Sequence, residues 1–143
     1  MAKKIRDTET QLKRLRVYNI IAAFAHLGQA VAMIAIITAL DAKANFPVTA
    51  DYMAGPPGSP IPPERVKLFD VDMGYGLIGF LMLSAFFHFL VASPAFFNRY
   101  KNGLVANHNY FRWTEYSLSS SIMIFLIAQL TGTTDAAALM TIF

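Results

Sequence analysis

Three long apolar runs, about Val17–Leu40, Tyr75–Phe97 and Phe111–Leu130, limit what this chain can become. Each approaches or exceeds the roughly 20 residues that a helix needs to cross ~30 Å of hydrocarbon. A helical bundle in water would alternate polar and apolar residues with a period near 3.6. Ala30–Leu40 and Ile78–Phe87 are instead apolar almost all round. The chain is 55% hydrophobic and 15% charged, and the charges gather between the runs. These features predict an all-α membrane protein with a single domain over residues 1–143. Its expected helices lie at about 17–40, 75–97 and 107–130, with a partial helix at 135–143.

A cleaved signal peptide is the rival reading of the first run, given its basic flank and the Ala42-Lys43-Ala44 sequence. The run is too long for that, because a signal h-region has about 7–15 apolar residues. With no cysteine, disulfides are excluded. The pI near 9.3 does not imply nucleic acid, since the basic residues sit at the ends of the apolar segments.

Charge sets the expected orientation. Residues 1–16 hold Lys3, Lys4, Arg6, Lys13, Arg14 and Arg16 against Asp7 and Glu9, and Asn98–Arg112 holds three basic residues and no acid. The connection Asp41–Asp72 is net acidic. The positive-inside rule therefore puts the N-terminus in the cytoplasm and the loop at 41–72 outside the cell membrane. That loop contains Gly55-Pro56-Pro57-Gly58-Ser59-Pro60-Ile61-Pro62-Pro63, which forbids regular helix. Its flanks, Phe46–Tyr52 and Arg65–Val71, mix β-branched and aromatic residues and can pair as short strands. A loop this long is usually functional or disordered, and its apolar content favours an ordered, interaction-bearing one. After a turn at Thr131–Thr134, Asp135 is a candidate N-cap for an apolar segment ending at Phe143. At 1.5 Å per residue this segment covers only about 14 Å. It reads as the start of a fourth helix of a larger membrane protein, or as a short re-entrant or interfacial tail.

Inside the third run stands Glu115. An ionised carboxylate there costs on the order of 3 kcal/mol by insertion scales, so it should face the interior and meet a cation. His26 lies nine residues from Val17, His88 nine residues from Phe97, and Glu115 eight residues past Asn107. All three are thus expected roughly 12–14 Å below the cytoplasmic surface. A lone intramembrane histidine is most simply a hydrogen-bonded packing residue, and it is the shared depth that argues for one polar cluster. Metal ligation needs closer spacing, such as two ligands on one helical face, and no such pair occurs. Arg112, Glu115 and Ser119 follow at i, i+3 and i+7, one stripe of a helix that Met123 and Leu126 prolong. Arg112 can equally be an interface anchor beside Trp113. Ser119, Ser120 and Ser121 can serve helix packing through small residues. Asn19 and Gln29 either line the interior or bond a neighbouring backbone.

The run Arg112-x-x-Glu115-Tyr116-x-x-Ser119-Ser120 resembles the third helix of microbial-type rhodopsins, whose pattern is Arg-Tyr-x-Asp-Trp-x-x-Thr-Thr-Pro-Leu. The variant here looks like the heliorhodopsins, which use Glu as counterion, reverse the membrane orientation and carry a long first extracellular loop. His26, His88 and Ser84, one turn before His88, match as well. The resemblance covers helices A to C and the start of D. It implies a seven-helix bundle around all-trans retinal, bound as a protonated Schiff base to a lysine on helix seven. Glu115 would be the counterion. His26, His88, Ser84, Ser119 and Arg112 would form the Schiff-base polar network, and Ser120 and Met123 would line the retinal pocket. Partners implied are the lipid bilayer, the remaining rhodopsin helices and a second copy met through loop 41–72. One departure is decisive: Lys3, Lys4, Lys13, Lys43, Lys67 and Lys101 all lie outside the apolar spans, so the attachment lysine is missing from this chain.

The function expected is therefore that of the N-terminal part of a retinal-binding light sensor. Outward proton pumps of the broader family carry a carboxylate eleven residues after the counterion. Here Leu126 holds that position and cannot relay a proton. The alternatives are a chromophore-free membrane interaction subunit and a light-driven ion transporter. No enzyme signature is visible: there is no Gly-rich phosphate loop and no nucleophile paired with a base.

Overall fold

The computed structural model describes residues 2–143, with side chains from Thr10 onward. The side chains of Lys3, Lys4, Arg6, Asp7 and Glu9, which entered the charge count, lie outside the described residues. Five helices and one hairpin follow in the order α1 (Ala2–Leu40), β1 (Asn45–Tyr52), β2 (Glu64–Asp72), α2 (Met73–Ala92), α3 (Pro94–Val105), α4 (Tyr110–Leu130) and α5 (Ala136–Ile142). Two segments, Thr10–Leu40 and Met73–Ala92, are long and apolar enough to cross a membrane. The expected third span, α4, is also long at 21 residues. It falls short in apolarity because Arg112, Glu115, Gln129 and four serines dilute it.

The apolar run at 75–97 is two helices rather than one. Pro94 has no N–H to continue the ladder and forces the preceding residue out of the helical region. Ser93 accordingly sits at φ −65°, ψ 149°, and Pro94 opens α3 at its first turn. Arg16 of α1 seals the break. Its Nε donates to the Ala92 carbonyl at 2.8 Å, and its guanidinium lies 5.1 Å from the centre of the Phe97 ring. α4 starts at Tyr110, three residues later than expected. Asn107 turns the chain at φ 60°, and Asn109 caps the helix by accepting from the Arg112 N–H.

The main interface joins α1 to α2. Asn19, Ala23, His26, Ala30 and Ile37 recur on one face of α1 at intervals of three, four and seven. Ala30 and Ile37 pack with Ile78 and Leu81 of α2 into one buried cluster. A Cβ on Gly74 would fall 2.5 Å from Ile37 Cδ1, and one on Gly76 would fall 2.6 Å from Leu126 Cδ2. Bare glycine backbone thus lets α2 approach both neighbours, as small residues do in membrane helix pairs. Val17, Ile21, Phe24 and Val31 point outward and stay exposed.

The two expected strands pair antiparallel, from Asn45 opposite Asp72 to Tyr52 opposite Glu64, with an irregularity at Val48/Thr49. Asp72 then caps α2 by accepting from the N–H groups of Gly74 (2.8 Å) and Tyr75 (3.1 Å). Arg65 bonds both carboxylate oxygens of Asp51, at 2.8 and 3.1 Å. That hydrogen bond, helped by the guanidinium charge, holds the Asp51 carboxyl below its ordinary value of 3.8. The hairpin is fastened to the turn between α4 and α5: the Thr49 N–H donates to the Thr134 carbonyl at 2.8 Å, and the two threonine hydroxyls are 3.2 Å apart. Asp135 caps α5, accepting from the Ala138 N–H at 2.9 Å.

Candidate functional site

Helix periodicity brings polar side chains from three helices to one level. On α1, Asn19 and His26 are seven residues apart and share the face turned to α2. On α2, Ser84 and His88 are four apart, and on α4 Glu115 and Ser119 are four apart. Ser84 Oγ donates to Glu115 Oε1 at 3.1 Å, joining α2 to α4. His88 Nδ1 lies 2.8 Å from Asn19 Oδ1, joining α2 to α1. In that pair the imidazole N–H donates, because an amide oxygen can only accept. The His26 and His88 rings stack with centroids 5.6 Å apart and planes 14° from parallel. His26 Nδ1 also lies 3.2 Å from Gln29 Oε1 in its own helix.

Asn19, His88, Arg112 and Glu115 line one small cavity of about 40 Å³. Phe87, Val91 and Phe111 also line it, and its volume exceeds the roughly 10–15 Å³ needed to hold a water. The two histidines and the carboxylate thus lie in one neighbourhood, linked through Asn19 and Ser84. No metal-binding group of three or more His, Cys, Asp or Glu occurs among the described residues.

Glu115 has no cation within ion-pair distance among the described residues. Arg112, one turn earlier, is turned to Tyr116: its guanidinium donates to the phenolic oxygen and lies over the ring, 4.6 Å from the centroid. Ser119 is buried one turn beyond Glu115. Met123 is half-buried, whereas Ser120 is exposed and donates to the Tyr116 carbonyl. Leu126 is buried against Gly76, so its position carries helix packing.

Sequence reasoning named Asn19 without finding its partner, because a contact across 69 residues leaves no local signal. It missed Tyr116 as the partner of Arg112, which the i, i+4 spacing could have suggested. It also missed Gln129, which is 1% exposed with neither amide atom bonded among the described residues. A wider recess of about 420 Å³ opens between α2, α4 and α5, with Tyr75, Gly76, Phe125 and Met140 among its walls. It is almost wholly apolar, and the polar cluster lies outside it.

No curated protein matches the chain. The sequence profile of the Heliorhodopsin family matches residues 15–143, which include every residue of the polar cluster. With a match over nearly its whole length, the chain belongs to the heliorhodopsins, a family of rhodopsin-like, light-sensing membrane proteins.

Proposed function

We propose that this chain supplies the counterion side of a retinal-binding light sensor, with Glu115 as the counterion. The observation that carries this reading is the state of Glu115. It is a partly buried carboxylate among apolar helices whose described partner is a neutral hydroxyl, Ser84. Such a charge calls for a cation from outside these residues. All-trans retinal, bound as a protonated Schiff base, supplies a cation that absorbs light. A negative charge beside that cation favours its protonated form. Ser84 orients the carboxylate from α2, and Ser119 borders it one turn further along α4. His88, held by Asn19, and the stacked His26 offer ring nitrogens that can take up a proton leaving the counterion region.

The described lysines are Lys13 on α1, Lys43 after α1, Lys67 on β2 and Lys101 on α3. None of the four lines the cavity beside Glu115. The attachment lysine therefore belongs to polypeptide other than these residues, and this chain reads as three spanning helices, α1, α2 and α4, plus α5. Leu126, apolar and packed, weighs against outward proton pumping. The absence of lysine from 17–40, α2 and α4 also favours a second reading, a chromophore-free interaction subunit. We place the N-terminus in the cytoplasm, loop 41–72 outside the cell membrane, and a homodimer contact on the hairpin. There β2 leaves an open edge, with Val66, Leu68 and Phe69 exposed.

The decisive experiment is Glu115→Gln in the retinal-loaded assembly. A red-shifted band, or a Schiff base deprotonated at neutral pH, is expected. An unchanged spectrum and unchanged Schiff-base titration would remove Glu115 from the role.

A further inference from the structure

The end of the bundle where α2 gives way to α3 is charged with one sign. Between Ala92 and Thr114 the chain holds Arg99, Lys101 and Arg112 and no carboxylate. Arg112 is committed to Tyr116, but Arg99 has no hydrogen bond or ion pair among the described residues. Beside Arg99 lies a groove of about 350 Å³ between α2, α3 and the start of α4. Its inner wall is apolar, built from Phe87, Leu90, Tyr100 and Phe111, while Arg99 and His108 stand exposed at its rim. The wall is held by ring contacts, with Phe111 6.1 Å from Tyr100 and 6.0 Å from Phe96. Gly103 lets the α3–α4 turn close over one end, since a Cβ there would fall 2.8 Å from the His108 carbonyl oxygen.

We propose that this groove binds one anionic phospholipid of the adjoining leaflet, its acyl chain on the aromatic wall and its phosphate on Arg99. This rests on the reading that α2 and α4 cross the membrane. The charge of the rim and the apolarity of the wall select the occupant together. A small anion would leave the wall against water, and a zwitterionic lipid would bring Arg99 no net charge. The groove also lies at the expected depth. Tyr110 and Trp113 are exposed beside it, as aromatic side chains are at a membrane–water boundary. Arg99 and Lys101, two residues apart on α3, stand about 200° apart around its axis, so only Arg99 borders the groove.

The test uses Trp113, the single tryptophan of the chain, which contacts Tyr110 of the groove at 5.2 Å between ring centroids. The protein is reconstituted in phosphatidylcholine vesicles containing acyl-brominated phosphatidylglycerol or acyl-brominated phosphatidylcholine, and Trp113 quenching gives their relative affinity. The anionic lipid is expected to be preferred about threefold or more, in line with one basic residue near a membrane surface. Arg99→Gln should bring the preference close to one, and Arg99→Lys should restore most of it. Lys101→Gln removes the same charge outside the groove and should keep the preference. Equal quenching by the two lipids, or equal losses in Arg99→Gln and Lys101→Gln, would overturn the proposal. So would loss of the preference to inorganic phosphate at an ionic strength where chloride has no effect, because the site would then be one for small anions. Protein that an alkaline wash strips from the vesicles would sink the membrane reading itself, and this inference with it. Inserted protein without preference would sink the groove alone.

Discussion

The bond between His88 and Asn19 makes the most direct energetic prediction. Asn19 is 7% exposed, and its two side-chain groups do different work. Nδ2 donates to the Leu15 carbonyl of its own helix at 2.9 Å, a bond that survives when α1 and α2 separate. Oδ1 takes the imidazole N–H at 2.8 Å, and only this bond is lost on separation. Truncating one partner leaves a polar group unpaired among apolar side chains, which costs about 1–3 kcal/mol. Asn19→Leu and His88→Leu should therefore each weaken the helix pair by about that amount. The double variant should cost less than their total by roughly 1 kcal/mol, within the range for hydrogen bonds between membrane helices. The assay is dodecyl sulfate titration in mixed micelles, read by energy transfer between dyes on Gly28→Cys and Gly79→Cys. A Cβ at either glycine meets nothing within 4 Å, so a cysteine fits at both positions. Costs that add to within ~0.3 kcal/mol would mean that the two side chains do not interact, and the reasoning would fail.

Two further outcomes concern the hairpin. Asp51 has a depressed folded pKa, so its pairing with Arg65 supports the hairpin above the ordinary carboxylate value and is lost as pH falls through the lowered one. A carboxyl-carbon NMR titration should place the Asp51 midpoint below 3.8, and Arg65→Gln should return it to the ordinary range; a midpoint that ignores the substitution would refute the pairing. Leu68→Cys on the open strand should react with an impermeant maleimide from outside the cell only and should cross-link two copies. Labelling from the cytoplasmic side alone would reverse the topology, and outside labelling without cross-linking would move the dimer contact elsewhere.

Much of this arrangement was legible in the sequence, for identifiable reasons. The pairing of 46–52 with 65–71 showed in β-branched and aromatic residues either side of a Pro-Gly run, a local signal. Asp135 showed as a cap because a short acid stood just before an apolar segment. The approach of His26 to His88 could be read from depth, at 1.5 Å per residue along a helix, whereas Ser84 entered only through the family resemblance. Rotation was legible only for the stripe of Arg112, Glu115 and Ser119; Ser120 was put in the retinal pocket by the family resemblance, and it lies on the exposed side of α4. The break at Ser93–Pro94 was written in the sequence, but the surrounding hydrophobicity masked it. Arg16, counted only as a positive charge, turned out to bond the carbonyl that this break leaves free. No sequence rule pairs residues 76 positions apart.

The bond from Thr49 to Thr134 has a mechanical consequence. It ties the hairpin to the turn just past α4, which is itself bonded back to the helix from Thr133 N–H to the Ala128 carbonyl; the helix end at Leu130 is fifteen residues or about 22 Å from Glu115. A helix is stiff along its axis, so an axial slide of α4 at the level of Glu115 arrives almost undiminished at that end. A slide of one residue rise, about 1.5 Å, would stretch the 2.8 Å bond past hydrogen-bonding range unless the hairpin travelled with the helix. α4 and the hairpin then behave as a piston and its crosshead, converting a displacement at the level of Glu115 into movement of the hairpin. Hydrogen exchange at the Thr49 amide reads the linkage: exchange that quickens when α4 is perturbed means a slipping joint, and exchange that stays slow means that the hairpin rides with the helix.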